Sequence, residues 1–315
     1  MKKNRAQSEP TKLAPLPARD GVSPSCVVLP DGPWRTILEF LVERFPGVAA
    51  ETWMARMQAG DVLDALGVAV NPGQVYRPQL RLYYYRALAD EPRIPFEEVV
   101  LFRDEFIVVA DKPHFLPVIP SGRYLQETLL VRLKRKLGID TLAPIHRIDR
   151  ETAGLVIFTI QPSTRRSYQD LFLQKSVQKK YEAIAPSRPE LNLPLTYRSR
   201  LEDHSEHFMQ VREIEGETNS ETLIELIEAH GASARYGLSP ITGRKHQLRA
   251  HCAALGIPIY NDRIYPKLLA ENSDDYAKPL QLLAKSIAFR DPISGEPRSF
   301  TSARTLPLDE PPHRR

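Results

Sequence analysis

The sequence predicts an α+β fold in two domains, and three observations carry that prediction. Residues 155–160 are a short, largely β-branched run uninterrupted by charge, the pattern of a strand buried on both faces, and residues 106–110 read as another strand. Residues 222–227 and 236–241 have the composition of two paired strands. Apolar residues recur at helical spacing through 34–45 and again through 125–137, so helices and strands are mixed along the chain.

The 315 residues suffice for one large domain and a small one, and 42% hydrophobic content suffices for a real core. Lys and Arg number 43 against 39 Asp and Glu, a net charge of +4 that permits an RNA partner without demanding one. Cys26 and Cys252 are the two cysteines, too few for a disulfide framework or a cysteine-rich zinc site. Lys2, Lys3 and Arg5 are followed by no apolar run, and no segment is long enough to span a bilayer. A cytoplasmic protein with no membrane partner is expected.

Residues 1–30 hold Pro10, Pro15, Pro17, Pro24 and Pro30 with little periodicity and read as a disordered or loosely docked tail. Trp34, Ile37, Leu38, Leu41 and Phe45 form a helical stripe that Pro46 and Gly47 stop, and Trp53, Met54 and Met57 mark a second helix. Val62, Leu63, Val68 and Val70 suggest a hairpin, and Leu80, Leu82 and Tyr84 alternate along another strand. These elements make a small module over 31–92, with Arg56, Arg77, Arg81 and Arg86 as candidate phosphate contacts. Tyr83, Tyr84 and Tyr85 suit stacking on bases, although core packing is the commoner use of such a run.

The larger domain, 93–305, follows a linker with Pro92 and Pro95. Its strand at 106–110 ends in Asp111, Lys112 and Pro113, and then a proline-rich loop. Leu125, Leu129, Leu130, Leu133 and Leu137 stripe a helix closed by Gly138. On its other side Arg132, Lys134, Arg135 and Lys136 form either an RNA-facing stripe or a solvated face. Residues 197–218 are polar, and their cluster His204, Ser205, Glu206 and His207 reads as surface loop, since no further ligands stand at metal-binding spacing. Residues 306–315 are a C-terminal tail.

Five ionisable side chains, His146, Arg147, Asp149, Arg150 and Glu151, stand directly before the strand at 155–160. Charges do not enter an interior unpaired, so this run is expected to line a concave site at the strand's edge. Further on, Gln178, Lys179 and Lys180 lead into Tyr181 at a strand start. Thr242 and Gly243 are expected to open a helix with Arg244, His246, Gln247 and Arg249 gathered in its first turns, a favourable place for an anion.

The run His146-Arg147-Ile148-Asp149-Arg150-Glu151-Thr152-Ala153-Gly154-Leu155 closely resembles the signature of the RluA-type pseudouridine synthases. Lys179, Tyr181 and Ala183 match that family's Lys-x-Tyr-x-Ala segment. The stretch Thr242-Gly243-Arg244-Lys245-His246-Gln247-Leu248-Arg249-Ala250-His251 matches a third motif in the same order. Lys245 departs from a usual Thr or Ser, Asn261 stands where Gly is usual, and Leu283 stands where many relatives carry His. The resemblance covers about residues 100–300. It implies an α+β body whose mixed, largely antiparallel sheet is split by a central RNA-binding cleft. The small module resembles, more weakly, an RNA-binding domain shared by a ribosomal protein and several such synthases.

The implied reaction detaches uracil from ribose at N1 and rejoins it at C5, in ribosomal RNA, transfer RNA or both. It needs no redox partner and no phosphate, so neither cofactor nor metal is expected, and the sequence has no glycine-rich phosphate loop. By resemblance Asp149 is the essential carboxylate, acting as a nucleophile on sugar or base or as the base that takes a ribose proton. Tyr181 packs on the target base, and Arg249 keeps Asp149 ionised. Arg147 enters the stack that the flipped uridine leaves. Arg244, His246 and Gln247 complete the substrate-binding set, while His146 and Arg150 hold the loop's shape. A monomer with RNA as its partner is expected.

Two rival readings exist. A noncatalytic RNA-binding protein retaining the synthase fold would have lost the aspartate, tyrosine or arginine, and all three are present. A metal-dependent hydrolase built on His146, Asp149, His246 and His251 leaves Tyr181 and Arg249 without a role.

Overall fold

A computed structural model describes residues 16–86, 91–204, 210–269 and 274–308. Residues 1–15 and 309–315 of the two tails, and Ser205, Glu206 and His207 of the polar cluster, lie outside the described residues. The chain divides between Glu91 and Pro92 into two compact units.

The first unit holds strand β1 (Ser25–Val28), helices α1 (Ile37–Arg44) and α2 (Ala50–Gln58), and strands β2 (Val62–Leu63) and β3 (Arg81–Tyr84). Thr36 caps α1 by accepting the Glu39 N–H, and the Glu39 carboxylate reaches back to the Arg35 N–H, a reciprocal cap of the kind that fixes a helix start. β1 pairs with β3, so the expected N-terminal tail is shorter than 30 residues. Its last part alternates along a sheet edge, and Leu29 is fully buried in the module's core. Tyr84 packs edge-on against Phe45 and Trp53, and Tyr85 donates to the Pro17 carbonyl, so two of the three tyrosines serve packing.

The second unit runs β4 (Val99–Arg103), β5 (Ile107–Lys112), α3 (Leu129–Leu137), β6 (Ala143–Pro144), β7 (Ala153–Thr159), α4 (Arg165–Leu173) and β8 (Gln178–Pro186). It continues with β9 (Leu195–Asp203), β10 (Val211–Ile214), β11 (Ser220–His230), β12 (Ser233–Pro240), α5 (Gln247–Ala254), β13 (Leu282–Arg290) and β14 (Pro297–Thr301). Nine strands form one path, β10-β9-β11-β12-β8-β13-β7-β5-β4, with β14 on β13 and β6 on β7. β5 and β7 are buried along their whole lengths, which explains why they read as unbroken apolar runs. Neighbouring strands pair antiparallel except β13 with β7, which run parallel through Leu283 opposite Ala153 and Ala284 opposite Gly154. Ala284 also faces Tyr181 of β8, so Gly154, Ala284 and Tyr181 stand side by side across three strands. Gly154 has φ +110°, and a Cβ there would lie 2.3 Å from the Ala284 carbonyl oxygen. Only glycine allows that approach.

Three expectations need correction. Much of the polar stretch 197–218 is sheet: β9 and β10 pair at its edge, their alternation masked by the outward charges Arg198, Arg200 and Glu202. Arg132 of α3 neither faces RNA nor is solvated, for it pairs with Glu127 and Glu98 and donates to the carbonyls of Ile94 and Phe96. Lys134 beside it is buried as well. Finally, α5 begins at Gln247, five residues after Thr242, with His246 at its N-cap in a left-handed conformation.

Candidate active site

The loop before β7 is held by its own backbone atoms. Lys112, fully buried at the end of β5, donates to the carbonyls of Pro113 (3.0 Å), Leu116 (2.7 Å) and Arg150 (3.0 Å). Burial pushes its ammonium down to about 7, with Glu151 and Asp149 pulling the other way. Three carbonyl acceptors match the three N–H bonds of the charged form. His114 Nδ1 lies 2.6 Å from the Glu151 carbonyl, which can only accept, so that nitrogen carries the proton. Burial holds His114 at about 4, a neutral ring. His146 Nε2 accepts the Ile157 N–H, and its ring stacks on Phe172 at 4.7 Å. Burial keeps it neutral also, at about 3.

These anchors present Asp149 to a cleft of about 1580 Å³ over the junction of β7, β13 and β8. Asp149 remains 28% exposed, and Arg249 of α5 donates from Nη1 to its Oδ2 at 3.1 Å. The rest of the Arg249 guanidinium belongs to Asp262, with Nε to Oδ2 at 2.8 Å and Nη2 to Oδ1 at 2.7 Å. Arg249 and Asp262 are almost wholly buried, at 2% and 1% exposure. Burial works against the arginine's charge, but the two carboxylates more than restore it and raise its pKa above the ordinary value. One guanidinium is therefore shared, with a structural carboxylate at its back and the cleft carboxylate at its front.

Tyr181 lines the same cleft, half-buried, and its hydroxyl has no hydrogen-bond partner among the described residues. Burial raises its phenol and Asp149 adds to the effect, so the ring is neutral. His246 has Nε2 3.8 Å from Asp149 Oδ2 and Nδ1 3.3 Å from the Tyr265 hydroxyl. Burial lowers its pKa despite Asp149, leaving a neutral imidazole. Arg147 and Arg244 line the cleft, both exposed, and the Arg147 side chain has no ion-pair partner among the described residues.

Gln247 does not fit the substrate-binding role expected of it. Its amide oxygen accepts from the Thr242 hydroxyl and the Arg244 N–H, while its nitrogen donates to the Glu221 carbonyl and the Thr222 hydroxyl. Those four bonds use the whole capacity of the amide, so Gln247 shapes the loop that presents Arg244. The four residues of the hydrolase reading do not converge either. His251 is fully buried, its nitrogens taken by Ser199, Ser220 and Thr222, and the His146 Nε2 is spent on backbone.

Thus Asp149, Arg249, Tyr181 and His246 are brought together, with Arg147 and Arg244 on the walls. Sequence reasoning missed Lys112, His114 and Asp262 as parts of the assembly. A lysine closing a strand buried on both faces was the available signal for the first. Asp262, 13 residues from its partner, stands in the stretch whose resemblance to the family is broken at Asn261, a match that marked the segment without giving the aspartate a role.

A profile of the RNA pseudouridylate synthase family matches residues 106–254. A dual-specificity RNA pseudouridine synthase RluA of Pasteurella multocida is 32% identical over 218 residues, spanning 67% of this chain and 94% of that protein. The chain belongs to the RluA-type pseudouridine synthase family. The mitochondrial tRNA pseudouridine(32) synthase of Saccharomyces cerevisiae is 28% identical to this synthase over 243 residues, 74% of the chain and 51% of the yeast protein. Among solved structures, human RNA pseudouridylate synthase domain containing 4 aligns with a TM-score of 0.50 at 25% identity, over 66% of this synthase and 88% of the human chain. The protein is thus an isomerase acting on RNA. The matched segment contains Asp149, Tyr181 and Arg249, whereas Asp262 lies beyond it.

Proposed function

We propose that this synthase converts a specific uridine of ribosomal or transfer RNA to pseudouridine, with Asp149 as the carboxylate that acts on the extruded nucleotide. The observation that carries the assignment is the Arg249 guanidinium at 3.1 Å from an Asp149 side chain open to the cleft. A buried cation at that distance orients the carboxylate that nucleophilic or base chemistry needs. The uridine leaves its helix at a cost of a few kcal/mol, and Arg147, exposed two residues before Asp149, occupies the vacated position. Tyr181 offers a flat neutral face to the uracil. The bond from C1′ to N1 breaks, the base turns within the cleft, the bond from C1′ to C5 forms, and the C5 proton is released. The composition of the uridine is unchanged, the proton lost from C5 being matched by one gained at N1, so no cofactor takes part. The N-terminal module adds RNA contacts through Arg56, Arg77, Arg81 and Arg86. The enzyme acts as a cytoplasmic monomer, its Cys26 and Cys252 free thiols.

Asp149→Asn tests the assignment. The variant is expected to bind RNA while releasing no tritium from RNA labelled at uracil C5. Release at the wild-type rate would remove Asp149 from the chemistry. Mapping pseudouridines in total RNA from cells with and without the gene identifies the target.

A further inference from the structure

Two arginines flank Asp149, Arg249 in space and Arg150 in sequence, and both are gripped by carboxylates from the one connection between α5 and β13. Asp262 takes Arg249; Asp274 takes Arg150. Resting on the synthase reading above, we propose that Arg150 and Asp274 are a positioning pair for Asp149. They fix the 149–151 loop where the carboxylate meets Arg249 and the extruded uridine, and they make no contact with RNA themselves.

The geometry is that of a closed fork. Arg150 Nη1 donates to Asp274 Oδ2 at 2.8 Å and Nη2 to Oδ1 at 2.8 Å, the bidentate arrangement in which both partners are planar and mutually fixed. Nη2 also reaches Glu151 Oε1 at 2.7 Å, and the guanidinium carbon stands 5.6 Å from the centroid of the Tyr124 ring. Asp274 in turn accepts from the Tyr124 hydroxyl and from Arg123, each at 3.1 Å. Burial pushes the Asp274 carboxyl up, and Arg150's hydrogen bonds and charge more than reverse it. The aspartate's own place is set by the core, because Tyr276 packs edge-on against Phe96 and Phe115.

Residue 150 is thereby held at both ends. Lys112 takes its carbonyl from the β5 side, and Asp274 takes its side chain from the opposite connection. Asp149 is the residue immediately before it, so a turn of residue 150 turns the Asp149 carboxylate with it. Although Arg150 lines the cleft, both of its terminal nitrogens are spent on carboxylates, which leaves it poorly placed to bind phosphate. A misplacement of about 1 Å at a reacting group costs on the order of 100-fold in rate.

The test separates rate from affinity. Single-turnover pseudouridine formation at saturating enzyme and the Kd for the same RNA are measured for wild type, D149N, D274A, D274N, D274E and R150K. D274A is expected to slow the step by roughly 10- to 100-fold while Kd stays within about twofold, and D274E to recover part of the rate. The isosteric D274N carries the same test if D274A does not fold. Combining R150K with D274A is expected to slow the step no more than about twofold beyond D274A, because the pair acts as a unit. A tenfold weaker Kd with the saturated rate unchanged would make the pair an RNA contact and overturn the proposal. So would a D274A enzyme that equals wild type in both measures. A wild-type chain forming no pseudouridine in any RNA would instead remove the functional reading, so the two failures are distinct.

Discussion

Asp262→Asn is the sharpest test of how the site is held. The carboxylate accepts four hydrogen bonds, two from Arg249 and two from the N–H groups of Ile264 (2.8 Å) and Tyr265 (3.0 Å). Asparagine keeps the shape, and its oxygen in the Oδ1 position still serves both backbone donors. Its nitrogen then faces Arg249 Nε across 2.8 Å, donor against donor, and the negative charge is gone. Breaking a buried ion pair by removing one partner costs roughly 3–5 kcal/mol. The lower figure applies here, since Arg249 keeps Asp149 as a second counter-charge. At about 2–4 °C per kcal/mol for a domain of this size, a loss of about 3 kcal/mol lowers Tm by roughly 6–12 °C. The assay is thermal unfolding followed by calorimetry, with single-turnover pseudouridine formation measured at a temperature where the variant is folded. That rate is expected to fall too, because Arg249 loses the fork that aims its Nη1 at Asp149. Asp203→Asn is the control: its exposed carboxylate pairs with Lys245 at 3.2 Å, and exposed pairs are worth about 0–1 kcal/mol. A D262N protein that melts within about 2 °C of wild type would show that the fork does not hold the arginine.

Other substitutions probe separate links. Tyr181→Leu keeps the side chain apolar but removes the ring; base stacking is worth about 1–3 kcal/mol, so a roughly 5- to 150-fold loss in kcat/KM is expected in a pseudouridine assay, and no loss would deny the ring its role. Gly154→Ala places a Cβ against the Ala284 backbone at a positive φ, costing about 1–3 kcal/mol for the backbone and about as much for forced separation; Gly231→Ala, with open space around it, pays only the backbone part, and chemical denaturation compares the two. His251 has a pH signature: burial holds its pKa at about 4 against an ordinary 6.5. The unfolded chain binds the proton first, so stability is full above 6.5 and is lost as pH falls towards 4. His251→Asn should therefore lose less stability than wild type between pH 7 and 5 in urea melts, and equal losses would contradict the buried neutral ring.

Much of the site was legible because its residues break a pattern. Five ionisable groups before an apolar strand cannot all be solvated, and the structure does put Asp149 and Arg147 at the cleft there. The strands at 106–110 and 155–160 were legible because burial on both faces removes alternation. The polar strands β9 and β10 were not, since the two strands at this end of the sheet carry their charges outward and resemble a loop. The roles of Asp262 and Asp274 were illegible for another reason. A carboxylate in a connecting segment looks solvated, and its meaning depends on an arginine 13 or 124 residues away. The start of α5 was misplaced because the Gln247 side chain, rather than the helix, organises residues 242–244.

The sheet register explains why these pieces meet at all. Asp149 precedes β7, Tyr181 lies in β8, and neither strand touches the other, because β13 runs between them. A parallel joint with β7 on one side and an antiparallel one with β8 on the other bring Gly154 and Tyr181 to opposite flanks of the same residue, Ala284. A slip of β13 by one residue would turn its side chains to the other face and separate the carboxylate's loop from the tyrosine. The close passage at Gly154 resists such a slip, since any side chain there meets backbone rather than a flexible neighbour. Arg249 then closes the assembly from α5, across 100 residues of sequence, and the α5–β13 connection carries the two carboxylates that hold the flanking arginines. Changes in that connection therefore act on Asp149 through position, and their effects belong in the rate of the chemical step rather than in the affinity for RNA.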